Sequence, residues 1–110
     1  MTCEPWDVVV VPFPFTDSPA SKRRPALVLS SSAFNRVSGH SLMAQITKAK
    51  QSSWPGDLRI QNVEAGLPEE CIVRMKLFMI DNRLIQKRTG RLSAADREQV
   101  RAGLRQVMTI

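Results

Sequence analysis

The sequence predicts a mainly β (α+β) fold: a small, barrel-like domain finished by one C-terminal helix. Short apolar segments alternate at period two, proline and glycine punctuate them, and only the segment from Ser93 onward switches to helical spacing. Several short strands followed by a single terminal helix fit such a barrel. With 110 residues, the chain is expected to form one domain spanning residues 1–110.

Val8 to Val11 are four β-branched residues in a row, which restricts χ1 and favours an extended first strand. Pro12 and Pro14 each lack a ladder donor and should end regular pairing or mark an edge. "SPASKRRP" is predicted as a polar loop, with the second strand starting at Ala26 in "ALVLSSS". "SAFNRVSGH" is turn-rich, with room for one helical turn. In "SLMAQIT", Leu42, Ala44 and Ile46 alternate with Ser41, Met43, Gln45 and Thr47, which predicts a half-buried third strand. "KAKQSSWPG" reads as a basic loop, "DLRIQN" as a short strand and "VEAGLPEE" as a turn. In "CIVRMKLF", Cys71, Val73, Met75 and Leu77 should face one way, and Ile72, Arg74, Lys76 and Phe78 the other. For the terminal helix, Ser93 is the expected N-cap and Asp96 completes a variant of the capping box. Val100, Leu104, Val107 and Met108 recur at helical spacing, with Arg97, Arg101 and Arg105 on another face.

Aromatic content is only 5%, without tyrosine, so the core must rest on Val, Leu, Ile and Met. The formal charge of +6 points to a polyanionic partner. Its distribution is sharper than its total. No acidic residue lies between Asp17 and Asp57, whereas Lys22, Arg23, Arg24, Arg36, Lys48 and Lys50 all do. The two cysteines, Cys3 in an N-terminus expected to be mobile and Cys71 in a strand, form no CxxC and fit a reducing compartment. No signal-peptide pattern or membrane-length apolar run is present, and a cytoplasmic location is expected.

The single histidine, His40, has no cysteine or carboxylate at ligand spacing and reads as a turn residue; no metal and no cofactor are expected. The glycines form no phosphate loop, and no GxSxG or paired-carboxylate pattern occurs. What remains is arginine, lysine and hydroxyl groups at strand ends. Arg24 precedes Pro25, which biases it to extended geometry, and Thr47 closes the third strand. If consecutive strands pair antiparallel, these two side chains meet at one end of the sheet. A guanidinium fork engages two phosphate oxygens at once. Beside a hydroxyl, it can stabilise the phosphorane formed when an RNA 2′-hydroxyl attacks the adjacent phosphorus, without a metal. Arginine is a poor base, so the proton acceptor stays unassigned.

The ordered blocks "DVVVVPFPFTD", "KRRPALVLSSSAFN", "AQITKAK", "DLRI", "CIVRMKLFMID" and "GRLSAADREQVRAGLRQVM" resemble the MazF/PemK group of toxins from type II toxin–antitoxin systems, from about Trp6 to about Met108. The resemblance implies an SH3-like barrel with a C-terminal amphipathic helix, usually a homodimer. It further implies an mRNA interferase: a metal-independent, sequence-specific endoribonuclease that cuts single-stranded RNA to 2′,3′-cyclic phosphate and 5′-hydroxyl ends. The family's catalytic pair falls on Arg24 and Thr47. Lys22, Arg23, Lys48 and Lys50 fall in loops bordering its RNA groove, and Lys76 is a further RNA-binding candidate. A cognate acidic antitoxin is the implied protein partner. The alternative is a non-enzymatic toxin of the same barrel that binds DNA gyrase, or a small nucleic-acid-binding barrel. Two departures stand out. "SPASK" replaces a Glu-containing, glycine-rich segment of many relatives, and the histidine and aspartate proposed for PemK-type relatives are missing. Asp17 is the nearest candidate acid. Phe13 and Phe15 are candidate stacking surfaces, at least one being expected in the core.

Overall fold

The computed structural model describes residues 1–14, 20–50 and 53–110. Its elements run β1 (Asp7–Phe13), β2 (Lys22–Val28), α1 (Ser32–Ser38), β3 (His40–Lys48), β4 (Leu58–Ile60), α2 (Asn62–Ala65), β5 (Cys71–Asp81), β6 (Lys87–Arg91) and α3 (Ala94–Val107). The six strands form one antiparallel sheet, ordered β4-β5-β3-β2-β1-β6, which curls into a half-barrel. Period-two alternation sends side chains to two cores. Val8, Leu27, Ala44, Ile46, Val73 and Met75 pack with Leu92 and Val100 on one face. Val9, Val11, Ala26, Val28, Met43 and Ile80 pack with Cys3 and Ile85 on the other. No helix among the described residues is long and apolar enough to cross a membrane.

Several expectations need correction. β2 starts at Lys22, not Ala26, so Lys22, Arg23 and Arg24 are strand residues opposite Phe13, Pro12 and Val11. Of the two outcomes expected at Pro12, an end to pairing or an edge, the structure shows the edge, and β1 runs on to Phe13. The β6 neighbour stops at Val10↔Lys87, so beyond Val10 one side of β1 is an edge that tolerates a missing donor. β3 is not half-buried: Met43 and Ala44, on opposite faces, are both fully buried because both faces of the sheet are covered. "SAFNRVSGH" forms a two-turn helix, and "VEAGLPEE" begins in α2. β6 carries no apolar alternation and was not anticipated. Its fit depends on glycine, since a β-carbon at Gly90 would lie 2.3 Å from the Glu64 carbonyl oxygen of α2.

Cys3 is not in a free-swinging N-terminus. It is buried, its carbonyl accepts from Asn35 Nδ2 at 2.9 Å, and the terminal ammonium donates to the Asn82 carbonyl at 2.8 Å. Cys3 and Cys71 are both free thiols. The strand alternation read in β5 holds, with Cys71, Val73, Met75 and Leu77 on the first core and Phe78 on the second. Ser93 caps α3 as expected, accepting from the Asp96 amide at 3.2 Å. Asp96 does not close the box. Its carboxylate accepts instead from the Gln61 amide at 2.8 Å, joining α3 to the segment after β4. Val100 is buried, whereas Val107 and Met108 lie on the exposed end of the helix.

Candidate active site

The site lies where two strands separate. β2 and β3 pair from Val28↔Met43 to Ala26↔Gln45, and there their ladder stops, while β2 continues against β1 as far as Lys22. Pro25, which has no N–H to give, sits at that point. Continuing the β2–β3 register by two residues would set Arg24 opposite Thr47. The two side chains instead flank an opening, a cleft of about 550 Å³ whose walls include Arg23, Arg24, Thr47, Lys48, Lys87 and Glu69. Arg24 and Thr47 also line a smaller recess of about 80 Å³ with Phe13, Gln45 and Phe78. The expectation that Arg24 and Thr47 share one sheet end is met.

Each wall has a local cause. Arg24 stands over the Phe13 ring, 5.7 Å from its centroid, a cross-strand cation–π contact that steadies the guanidinium. Lys48 is the last residue of β3, paired with Cys71. Thr89 projects from β6 and its hydroxyl donates to the Ala65 carbonyl at 2.8 Å. Gly66 ends α2 at φ 71°, a left-handed conformation suited to glycine, and a β-carbon there would lie 2.0 Å from the Thr89 carbonyl oxygen. That close approach brings the 66–69 segment down as the far wall.

Electrostatically the cleft is cationic. Among the described residues no carboxylate pairs with Arg23, Arg24 or Lys87, while Lys48 meets Glu69 at 3.4 Å. Both members of that pair are largely exposed, and such pairs are worth about 0–1 kcal/mol, so an anionic ligand can displace it. Cys71 lines the cleft as a neutral thiol. Burial pushes its pKa up, the Glu69 carboxylate adds to this, and the thiol donates to the Glu69 carbonyl at 3.4 Å. The arrangement can grip a phosphodiester, place a guanidinium and a hydroxyl on its oxygens, and present a carboxylate beside it.

The other predicted cations are spread out. Lys50 is outside this cleft, in an adjoining pocket with Lys48, Arg59 and Glu70. Lys22 begins β2 and is exposed, away from the cleft walls. Lys76 is about 15 Å further along β5 from Cys71, its ammonium 4.4 Å from the Trp54 ring centroid. Arg74, which shares a strand face with Lys76, is held by a carboxylate. It forms a bidentate pair with Asp57 at 3.1 and 2.9 Å, which holds the Asp57 carboxyl below its ordinary pKa. His40 is exposed, as expected, but it is not a turn residue: it begins β3, paired with Asp81. Asp17 and Phe15 fall outside the described residues. Sequence reasoning missed Lys87, Thr89 and Glu69. Only the period-two spacing of Lys87 and Thr89 hinted at a shared face.

A profile of the PemK-like, MazF-like toxins of type II toxin–antitoxin systems matches residues 4–108. The chain belongs to that family. The toxin's fold recurs in solved structures. A MazE–MazF complex from Deinococcus radiodurans (Form-III) superposes with a TM-score of 0.78 at 21% identity, over 97% of this chain and 96% of that one. The Mycobacterium tuberculosis toxin MazF-mt6 gives 0.73 at 15%, over 89% and 91%. An endoribonuclease from Mycobacterial species, in complex with its cognate antitoxin, gives 0.73 at 11%, over 96% and 91%. No curated protein matches the chain in sequence. At these identities the toxin shares the fold of those structures, and its chemistry must be argued from its own residues.

Proposed function

We propose that this toxin is a metal-independent endoribonuclease that cuts single-stranded RNA, leaving 2′,3′-cyclic phosphate and 5′-hydroxyl ends. The observation that carries this reading is the meeting of Arg24 and Thr47 on one cationic cleft at the point where β2 and β3 part. Arg24 places its donor fork on the non-bridging oxygens of the scissile phosphate, and Thr47 donates to the charge that grows there during 2′-oxygen attack. Arg23, Lys48 and Lys87 hold the flanking phosphates. Lys22 and Lys50 extend the positive surface, and Lys76 with Trp54 offers a stacking surface beyond it. Activity is held in check by an acidic antitoxin drawn to the same cations, and the toxin works as a homodimer. That reading is supported by family membership and by the pairing of toxin with antitoxin in the Deinococcus and Mycobacterial structures.

The test is cleavage of a long single-stranded RNA by purified protein in EDTA, with the 5′ ends of the fragments sequenced. Arg24→Ala should lose cleavage roughly 10²–10³-fold while folding and antitoxin binding persist. Wild-type protein that leaves such RNA intact, or cleavage that survives Arg24→Ala, would refute the assignment.

A further inference from the structure

A 2′-hydroxyl must lose its proton to attack phosphorus, and neither Arg24 nor Thr47 is a serviceable acceptor. Resting on the ribonuclease reading above, we infer that Glu69 is a catalytic residue of this toxin, the general base that takes the 2′-hydroxyl proton.

Glu69 is singled out by its place and by what the other acids do. Glu69 is the one carboxylate among the described residues that lines the Arg24–Thr47 cleft. It lies two residues before Cys71, which pairs with Lys48, so β5 and β3 together hold its backbone beside the strand end that carries Thr47. Of the other described acids, Asp57 is paired with Arg74, Asp81 with Arg83, Glu70 with Arg59, Glu4 with Arg91 and Glu98 with Arg101. Asp96 accepts the Gln61 amide, Asp7 lies between Arg88 and Arg91, and Glu64 sits on α2 outside the cleft lining. His40 begins β3 and Thr47 is its next-to-last residue, seven residues away and about 23 Å distant. The Cys71 thiol is protonated and buried. Facing Glu69 across the cleft are Lys48 of β3, Arg23 and Arg24 of β2, and Lys87 of β6, with Cys71 of β5 beneath. When a phosphodiester draws Lys48 onto its oxygens, Glu69 is released from its weak ion pair next to the attacking ribose.

The step balances without a co-reactant beyond water. The 2′-oxygen gives its proton to the Glu69 carboxylate and forms the O2′–P bond. The P–O5′ bond breaks, its electron pair stays on O5′, and O5′ takes a proton from water. The hydroxide so formed removes the proton from Glu69.

The experiment uses the full chain and a short RNA spanning a site that the wild type cuts, with a 2′-O-methyl copy of that RNA to measure binding. Glu69→Gln should lower kcat roughly 10²–10⁴-fold, abolish the acid limb of the kcat/KM–pH profile, and leave affinity for the 2′-O-methyl RNA unchanged. Glu69→Asp should keep the limb at a reduced rate. Because the side chain is exposed, the variant should fold, which circular dichroism checks. Three results overturn the assignment while leaving the ribonuclease reading intact: a fully active Glu69→Gln; weakened RNA binding with kcat and the limb preserved, which makes Glu69 only a holder of Lys48; or loss of the limb in Asp17→Asn instead. A wild type that cuts no RNA overturns both.

Discussion

The two ends of β3 are built to opposite rules. At the His40 end, polar groups are buried and satisfied by one another. Ser41 Oγ donates to Asn82 Oδ1 at 2.6 Å, Asn82 Nδ2 donates to the Asn35 carbonyl at 2.7 Å, and Asn35 Nδ2 donates to the Cys3 carbonyl at 2.9 Å. Ser30 Oγ completes the set on Asn35 Oδ1 and accepts the Leu42 amide at 2.8 Å. At the Thr47 end, the β2–β3 ladder has already stopped, and cations with no carboxylate partner among the described residues stand around an open cleft. One end exchanges hydrogen-bond potential within the chain and gains rigidity. The other withholds it, leaving donors for a ligand to satisfy. A network that is complete contributes stability, and one left incomplete is a recognition site.

Substitution at the open end should cost activity and spare stability. Thr47→Val keeps the shape of the side chain and removes its hydroxyl. We expect RNA cleavage to fall on the order of 10²-fold, with the thermal midpoint nearly unchanged, as read by a fluorescent RNA assay and a melting curve. The closed end should answer the other way. Asn82→Ala strands the Ser41 hydroxyl and leaves the Asn35 carbonyl with only the Gly39 amide, at a cost of about 2 kcal/mol in urea unfolding, while the fraction that remains folded cleaves normally. If both variants lost activity and stability together, the division between the ends would be false.

How much of this could be read from the sequence follows the same division between local and long-range causes. The valine run, the alternation of "CIVRMKLF" and the Ser93 cap are local signals, and the strands and helix formed where they pointed. The meeting of Arg24 and Thr47 at one end of the sheet was legible because the apolar parts of β2 and β3 are specified by their own residues and pair in sequence order. β6 was not: "KRTGR" has no apolar residue to alternate, and it becomes a strand through β1 on one side and the glycine approach to α2 on another. Lys87, Thr89 and Glu69 reach the cleft only through that packing. The first residues of β2 failed for a similar reason, since three cations take up strand geometry only because β1 offers them a ladder.

A third region, between the two ends in character, sharpens the contrast. Arg74 and Asp57 form a largely buried pair in which each supplies the other's counter-charge. The guanidinium hydrogen bonds lower the Asp57 pKa in the folded state. A depressed carboxylate contributes stability above its unfolded value and loses it as pH falls through the folded one. The melting-temperature difference between wild type and Asp57→Asn should therefore hold steady at neutral pH and shrink below about pH 4. A difference independent of pH would show that the charge of Asp57 contributes nothing.

The smallest effect is expected at Phe13, which belongs to the open end yet carries no polar group. The Phe13 ring lies under the Arg24 guanidinium at 5.7 Å and restricts where it can point. Phe13→Leu retains bulk and removes the ring quadrupole. At an exposed site such a contact is worth about 0.5–1 kcal/mol, a factor of about two to five in rate. If Arg24 acts on the transition state more than on the bound substrate, that loss appears in kcat with KM nearly constant. A rise in KM alone would instead make Phe13 a stacking surface for a base, and Arg24 would then owe its position to the β1–β2 ladder.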